Sequence, residues 1–360
     1  MRTNRCNSAQ ILHPNLLFCY DSIDRLFRCG SRRAGETGVT SEALSRFPFA
    51  AYPTGWFQVA YSRDVADGEV AELHYFGRKM VCYRGQSGAP YVLDAYCPHL
   101  GADIGVGGTV DGDCVQCPFH GWKFDGSGTN VEIPYTKQPN RVARLRAWPT
   151  VEQAGIIFVW HSPEGTDPEW ELPKIPEAHD AAFAFFAPED ARWRFRSHPQ
   201  EVFENVVDIA HFATVHGVSA FGNLDVERDG HTFRAVAEVN FETPRGPVSG
   251  AVDSELFGLG IDVVRHRGLG RSCTLLTVTP IDGEHVDARY TFFVAVDADT
   301  GEMTRMGRGF VRDFCKQITQ DIPIWESKIY RERPALARGE AAIMEFRSWA
   351  KQSYGKADGA

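Results

Sequence analysis

From Gly55 onward, short apolar runs alternate with turn residues: Trp56 to Tyr61, Lys79 to Tyr83, Tyr91 to Ala95, Gly108 to Val110 and Ile156 to Trp160. Runs of this length, bounded by glycine, proline and aspartate, predict a small all-β domain. Between His161 and Pro176 the chain places Pro163, Pro168, Pro173 and Pro176. Each lacks an amide donor and restrains the residue before it, so a linker between domains is expected there. The pattern changes after Pro199, where Val202, Phe203, Val206, Ile209, Ala210 and Ala213 recur at three- and four-residue steps and predict a helix with one buried face. Strands expected at Thr232 to Phe241, Ser272 to Thr279 and Ala288 to Val296 would form an antiparallel sheet. A long closing helix is expected around Arg312 to Tyr330, with the stripe Phe314, Ile318, Ile322, Trp325 and Ile329. The expected fold class is therefore α+β, with an all-β domain over 48–162 and a sheet-and-helix domain over 163–360. Residues 1–47 read as a poorly ordered extension.

Composition narrows this picture. The 360 residues carry 38 basic and 47 acidic side chains, a net charge of −9 with the signs interspersed, which argues against a grip on nucleic-acid phosphates. At 43% apolar and 24% charged residues, the chain is an ordinary globular one. Nine cysteines are too sparse for a disulfide scaffold, and no apolar run approaches the roughly 18 residues of a membrane span. A reducing, cytoplasmic setting is expected. The apolar segment Ile11 to Tyr20 is broken by His13, Pro14 and Asn15, unlike a signal-peptide core. The arginine-rich, lysine-free start (Arg2, Arg5, Arg25, Arg28, Arg32, Arg33) leaves a cleaved transit segment as the competing reading.

Two constellations carry candidate chemistry. Cys97-Pro98-His99 and Cys117-Pro118-Phe119-His120 are separated by seventeen residues and each followed by glycine, Gly101 and Gly121. Zinc modules usually pair CxxC with HxxxH, whereas mixing one thiolate and one imidazole in each loop suits a Rieske [2Fe–2S] centre, in which two cysteines hold one iron and two histidines the other. The two glycines are expected to let backbone amides approach the cluster. The glycine-rich run 105–112 lacks the ending of a phosphate loop, and no GxGxxG occurs between a strand and a helix.

The second constellation is Asn205-Val206-Val207-Asp208-Ile209-Ala210-His211, followed by His216. Asp208 and His211, three apart, share a helix face, so the carboxylate can accept from the imidazole. His211 and His216 stand roughly 140° apart on an ideal helix, so both reach one metal only if the helix ends or distorts between them, and Gly217 makes an ending plausible. Two histidines and a carboxylate form the facial triad of non-haem Fe(II) oxygenases. The chosen third ligand is Asp321, beside the apolar stripe of the closing helix; Asp313 ranks second. Phe212, Phe257, Leu259 and Leu275 are candidates to lie near this iron, although core packing explains them equally well.

With both motifs in this order, the chain resembles the terminal oxygenase component of Rieske non-haem iron oxygenases from about Gly55 to Tyr354. CPHLGA, GDCxxCPFHGW, ENVVDxAHF, QDIPIWESKIY and FRSWAKQSY look most like the branch containing cholesterol 7-desaturases and 3-ketosteroid 9α-hydroxylase oxygenases. The resemblance implies a Rieske domain followed by a helix-grip catalytic domain, assembled as a homotrimer. It implies that Cys97, His99, Cys117 and His120 hold the cluster and that His211, His216 and Asp321 hold the iron. Asp208 would bridge His211 to His120 of the next subunit, and Asn205 would lie near the iron. The implied activity is hydroxylation or desaturation of a sterol, ketosteroid or similar rigid apolar molecule, with O2 as co-substrate. Electrons would come from NAD(P)H through a separate reductase, with or without a ferredoxin. The alternative is a tailoring oxygenase or O-demethylase for an aromatic or secondary metabolite.

Overall fold

The computed structural model describes residues 46–355 apart from 51, 219–220, 244–245 and 269–270. The expected extension 1–47 lies outside the described residues except for its last two. Arg46 donates from Nε to the Lys328 carbonyl at 2.8 Å, and Phe47 is buried.

Eleven strands occupy the first part: β1 (Gly55–Tyr61), β2 (Val70–Tyr75), β3 (Arg78–Arg84), β4 (Pro90–Asp94), β5 (Thr109–Asp111), β6 (Cys114–Gln116), β7 (Lys123–Phe124), β8 (Asn130–Glu132), β9 (Ala147–Trp148), β10 (Thr150–Gln153) and β11 (Ile156–His161). They form three antiparallel sheets, β1-β11-β10, β2-β3-β4-β9 and β5-β6-β7-β8. Strands β1, β3, β4, β5 and β11 fall where the apolar runs predict them. Among the missed strands β6 to β9 are two or three residues long, too short to show an alternation, while β2 and β10 are longer but carry polar residues and are mostly only partly buried.

The second part holds β12 (Phe183–Phe186), β13 (Arg192–Arg196), α1 (Pro199–Phe203), β14 (Phe221–Asp229), β15 (Thr232–Thr243), β16 (Gly246–Phe257), β17 (Ile261–Arg267), β18 (Ser272–Pro280), β19 (His285–Ala295), α2 (Arg305–Ser327) and α3 (Ala341–Ala350). Its antiparallel sheet runs β12-β19-β18-β17-β16-β15-β14, with β13 also paired to β19. The α+β class is as expected.

Both β1 and β11 are buried along their whole length and apolar except for Gln58 and His161, because they are covered on both faces. Phe57, Val59, Ile157 and Val159 face the first domain's own core. Trp56, Phe158 and Trp160, from the opposite faces, pack on Ile261, Val263, Leu275 and Phe293 of the large sheet. A strand buried on both faces loses the alternation of polar and apolar positions, which is why these two read as continuous runs. The other face of the sheet, with Leu256, Leu276, Val278 and Ala288, packs on Ile318 and Trp325 of α2 and on Phe346 and Trp349 of α3. The sheet is thus sandwiched between the first domain and two helices.

Two expected elements differ. The helix expected after Pro199 is not continuous: α1 passes into a 3₁₀ turn at Glu204–Val206, Asp208 is non-helical, and Phe212–His216 forms a π turn. Ala210 and Ala213, expected on the buried face, are exposed. The apolar spacing was read as one helix although its two halves face different surroundings. The helix expected to close the chain begins seven residues earlier than Arg312, at Arg305, and is followed by α3. It stops at Ser327, so Ile329 lies beyond it and is exposed.

Candidate metal centres

Cys97 and His99 sit on the loop after β4, and Cys117 and His120 on the loop between β6 and β7. The two loops repeat one backbone pattern. Cys97 N–H donates to Ala102 O at 2.8 Å while Gly101 N–H donates to Cys97 O at 2.9 Å; Cys117 N–H donates to Trp122 O at 2.9 Å while Gly121 N–H donates to Cys117 O at 3.0 Å. Gly101 (φ 77°) and Gly121 (φ 71°) close these turns in the left-handed region that favours glycine. Their own amides bond the cysteine carbonyls, and the turns they close bring the His99 and Leu100 amides to the Cys97 sulfur.

The side chains meet in pairs, thiol with thiol and imidazole with imidazole. Burial, with the Cys117 thiol alongside, pushes the Cys97 thiol up to about 11, and the His99 and His120 ring centres are 4.6 Å apart. His99 stacks on Trp122 at 4.4 Å and 8°, and the Trp122 indole N–H donates to the Tyr135 hydroxyl at 2.7 Å. His99 Nδ1 is buried with no hydrogen-bond partner. An orphaned imidazole nitrogen beside two adjacent thiols is what a cluster ligand set leaves when unliganded, so the residues fit a [2Fe–2S] group.

The second centre lies where the π turn faces α2. One ligand atom each from His211, His216 and Asp321 lies within 4.8 Å of the others, and His216 Nε2 is 3.4 Å from Asp321 Oδ1. The spacing problem is solved by the turn itself: an i→i+5 ring brings residues five apart back to one side, and the two imidazoles lie 5.2 Å apart. Gly217, at φ 72°, ends the turn by donating its N–H to Phe212 O. The Nδ1–H of His211 donates to the backbone carbonyl of Asp208. The Asp208 carboxylate, expected to take that proton, stands 4.0 Å away. Asn205 Nδ2 is 3.5 Å from His211 Nε2 and also reaches Asp321. Asp313, the second-ranked acid, is exposed.

Gln320, which the sequence reading passed over, accepts from His216 Nδ1–H at 3.1 Å. That bond fixes the tautomer and leaves Nε2 facing Asp321. Burial holds both imidazoles below their usual range, so they are neutral donors. Burial also pushes the Asp321 carboxyl up to about 7. A buried acid with two neutral imidazoles lacks a cation, and the trio fits a divalent metal.

The trio lines a cavity of about 690 Å³ between the large sheet and α2. Its wall is mostly apolar, with Val202, Val206, Phe212, Leu276, Phe310 and Phe314 among the lining. Of the four apolar residues considered from sequence, Phe212 lines it. Leu275 faces the first domain because it points to the opposite side of β18 from Leu276, and Phe257 and Leu259 also pack into core clusters.

Residues 55–151 match the Rieske [2Fe-2S] domain, and residues 159–354 match the 3-ketosteroid 9alpha-hydroxylase C-terminal domain. The chain is 30% identical to cholesterol 7-desaturase nvd 1 of Ciona intestinalis over 84% of its length and 69% of the relative's. It is equally 30% identical to a probable 3-ketosteroid-9-alpha-monooxygenase oxygenase component of Rhodococcus rhodochrous, covering 84% and 80%. Dicamba monooxygenase bound to dicamba shares the fold, with a TM-score of 0.68 at 18% identity over 84% of this chain and 97% of that one. No helix among the described residues is long and apolar enough to cross a membrane.

Proposed function

Because the chain belongs to the Rieske oxygenases, in the family of the 3-ketosteroid 9α-hydroxylase C-terminal domain, we propose that it hydroxylates or desaturates a sterol, a ketosteroid or a similar rigid apolar molecule. In this reading residues 48–162 form the electron-accepting domain and 163–360 the catalytic one. Cys97, His99, Cys117 and His120 hold the [2Fe–2S] cluster, and His211, His216 and Asp321 hold a mononuclear Fe(II). The cluster supplies single electrons, and the iron supplies activation of O2 for attack on an unactivated C–H bond.

The chain's own residues do the rest. Gln320 and the Asp208 carbonyl hold both imidazoles with Nε2 toward the metal. The apolar cavity walls take up the substrate and exclude water from the reacting face. The Asp208 carboxylate is not engaged by His211 Nδ1, which leaves it available to bridge to His120 of a neighbouring subunit. Exposed Leu100 and Phe119 beside the cluster ligands favour burial there against protein, as a head-to-tail homotrimer requires. Electrons reach the cluster from NAD(P)H through a separate reductase.

The observation that carries this reading is the convergence of three ligand atoms in the lining of a mostly apolar cavity of about 690 Å³. A single-turnover assay tests it: protein reduced chemically without oxygen receives a panel of sterols and ketosteroids, then O2. Gain of one oxygen or loss of two hydrogens in the product is expected. No product from protein with both centres loaded would overturn the substrate class.

A further inference from the structure

One buried acid in the cavity belongs to neither proposed metal centre; Asp313, also in the lining, is exposed. Asp262 interrupts the apolar run Ile261 to Val264 of β17 and is 2% exposed. Its side chain lines the cavity on the sheet wall, whereas Asp321 lines it on the helix wall. Asp262, Leu276 and Tyr290 are in register across β17, β18 and β19 and share the cavity face. Tyr290 lies within electrostatic reach of both acids. Toward the mouth, β17 continues through Val264 and His266 to exposed Arg267. Asp262 therefore lies at the buried end of the strand, with Tyr290 as a neighbour it shares with Asp321.

Its partner is Ser254 on β16, whose hydroxyl lies 3.0 and 2.9 Å from the two carboxyl oxygens. No Lys, Arg or His forms an ion pair with Asp262 among the described residues, although Asp253, next to Ser254, has both Arg234 and Arg267. The Glu255 backbone amide also reaches the carboxyl, but these two donors leave part of its acceptor capacity unused, and an incompletely satisfied buried carboxyl is costly. Burial pushes its ionisation up to about 7. Such a group in a mostly apolar wall is a cost unless a ligand completes it.

We infer that Asp262, held by Ser254, is the substrate's polar anchor, and that it selects a hydroxyl group on a rigid apolar skeleton over the corresponding ketone. An alcohol donates to the ionised carboxylate, and with the protonated acid it both donates and accepts. A ketone only accepts, so it is matched by one protonation state alone. Fixing one oxygen on the sheet wall turns a face of the skeleton toward the helix-wall metal, which makes Asp262 a positioning residue. The sterol form of this inference rests on the steroid reading above; the preference for an alcohol does not.

The test is anaerobic calorimetric binding to the metal-loaded enzyme of two alcohol and ketone pairs, cholestanol with cholestanone and the smaller borneol with camphor. Wild type is expected to favour each alcohol by about 10-fold or more, the worth of one hydrogen bond to a charged group. Asp262→Asn gains an obligate donor and should flatten or reverse that ratio, and Ser254→Ala, which keeps the carboxyl, should reduce it less. The cluster spectrum reports folding of each variant. Equal binding of alcohol and ketone by wild type, or a ratio unmoved in Asp262→Asn, overturns the anchor. A borneol preference without sterol binding supports the anchor and overturns the steroid reading. Binding of neither pair overturns both.

Discussion

The proposed cluster loops would draw four ligands from two segments only twenty residues apart, Cys97 to Cys117, whose backbones make the same pair of hydrogen bonds. The proposed mononuclear site would take two ligands from one π turn and a third 105 residues after His216, on a helix across a cavity. The first geometry is local, set by loop length and two left-handed glycines. The second exists only once the sheet, α2 and the turn have packed, so its precision depends on distant contacts and on partners such as Gln320. A local site should tolerate damage elsewhere, and an assembled one should not.

The largest effect should come from Asp321→Ala. Turnover is expected to fall below detection while the cluster's visible absorption stays at its wild-type intensity, because among the described residues no hydrogen bond or ion pair joins the Cys/His loops to α2. Loss of the cluster spectrum in this variant would break the contrast between the two sites.

Next in size is the junction between the domains. Asp287 on β19 accepts from the Tyr75 hydroxyl of β2 at 2.8 Å and pairs with Arg289 and Arg192. Burial alone would raise its carboxyl, but the two guanidinium groups outweigh that and hold it well below the usual carboxylate range. A carboxyl depressed in the folded state stabilises above its unfolded value near about 3.9, and the contribution is lost as pH falls through the folded value. Asp287→Asn should cost about 3 kcal/mol at neutral pH and flatten the acid side of a stability-against-pH curve measured by denaturant melts. An unaltered acid limb would remove Asp287 from the account.

Gln320→Leu should weaken iron binding by about 10- to 100-fold, the usual effect of removing an imidazole's orienting partner, with the cluster unchanged; iron titration of the apoprotein reads it. The smallest change is Gly217→Ala, which meets no nearby atom but places a side chain at φ 72°. It should cost about 1 kcal/mol and appear as a modest loss of iron affinity alone.

The same contrast explains what the sequence disclosed. Cys97, His99, Cys117 and His120 were readable because ligand type and spacing sit in one short stretch. His211, His216 and Asp321 were readable as residues, but the π turn that unites the two histidines was not, since its apolar spacing mimics a continuous helix. Gln320 carried no signal beyond adjacency to Asp321. Asp262 did carry one, a lone acid inside an apolar strand, whereas its partner Ser254 lies in β16, whose sequence Gly246–Phe257 has too little apolar alternation to be seen as a strand. The sandwiching of β1 and β11 was legible as unbroken apolar runs, but not what covers their second face.

The most direct measurement is iron and acid-labile sulfide per chain in wild type, Cys117→Ser and Asp321→Ala, each reconstituted identically. Two separate centres predict three irons and two sulfides in wild type, loss of the cluster's two irons and both sulfides in Cys117→Ser, and loss of one iron and no sulfide in Asp321→Ala. Full iron content in Asp321→Ala, or sulfide lost together with that iron, would contradict the account.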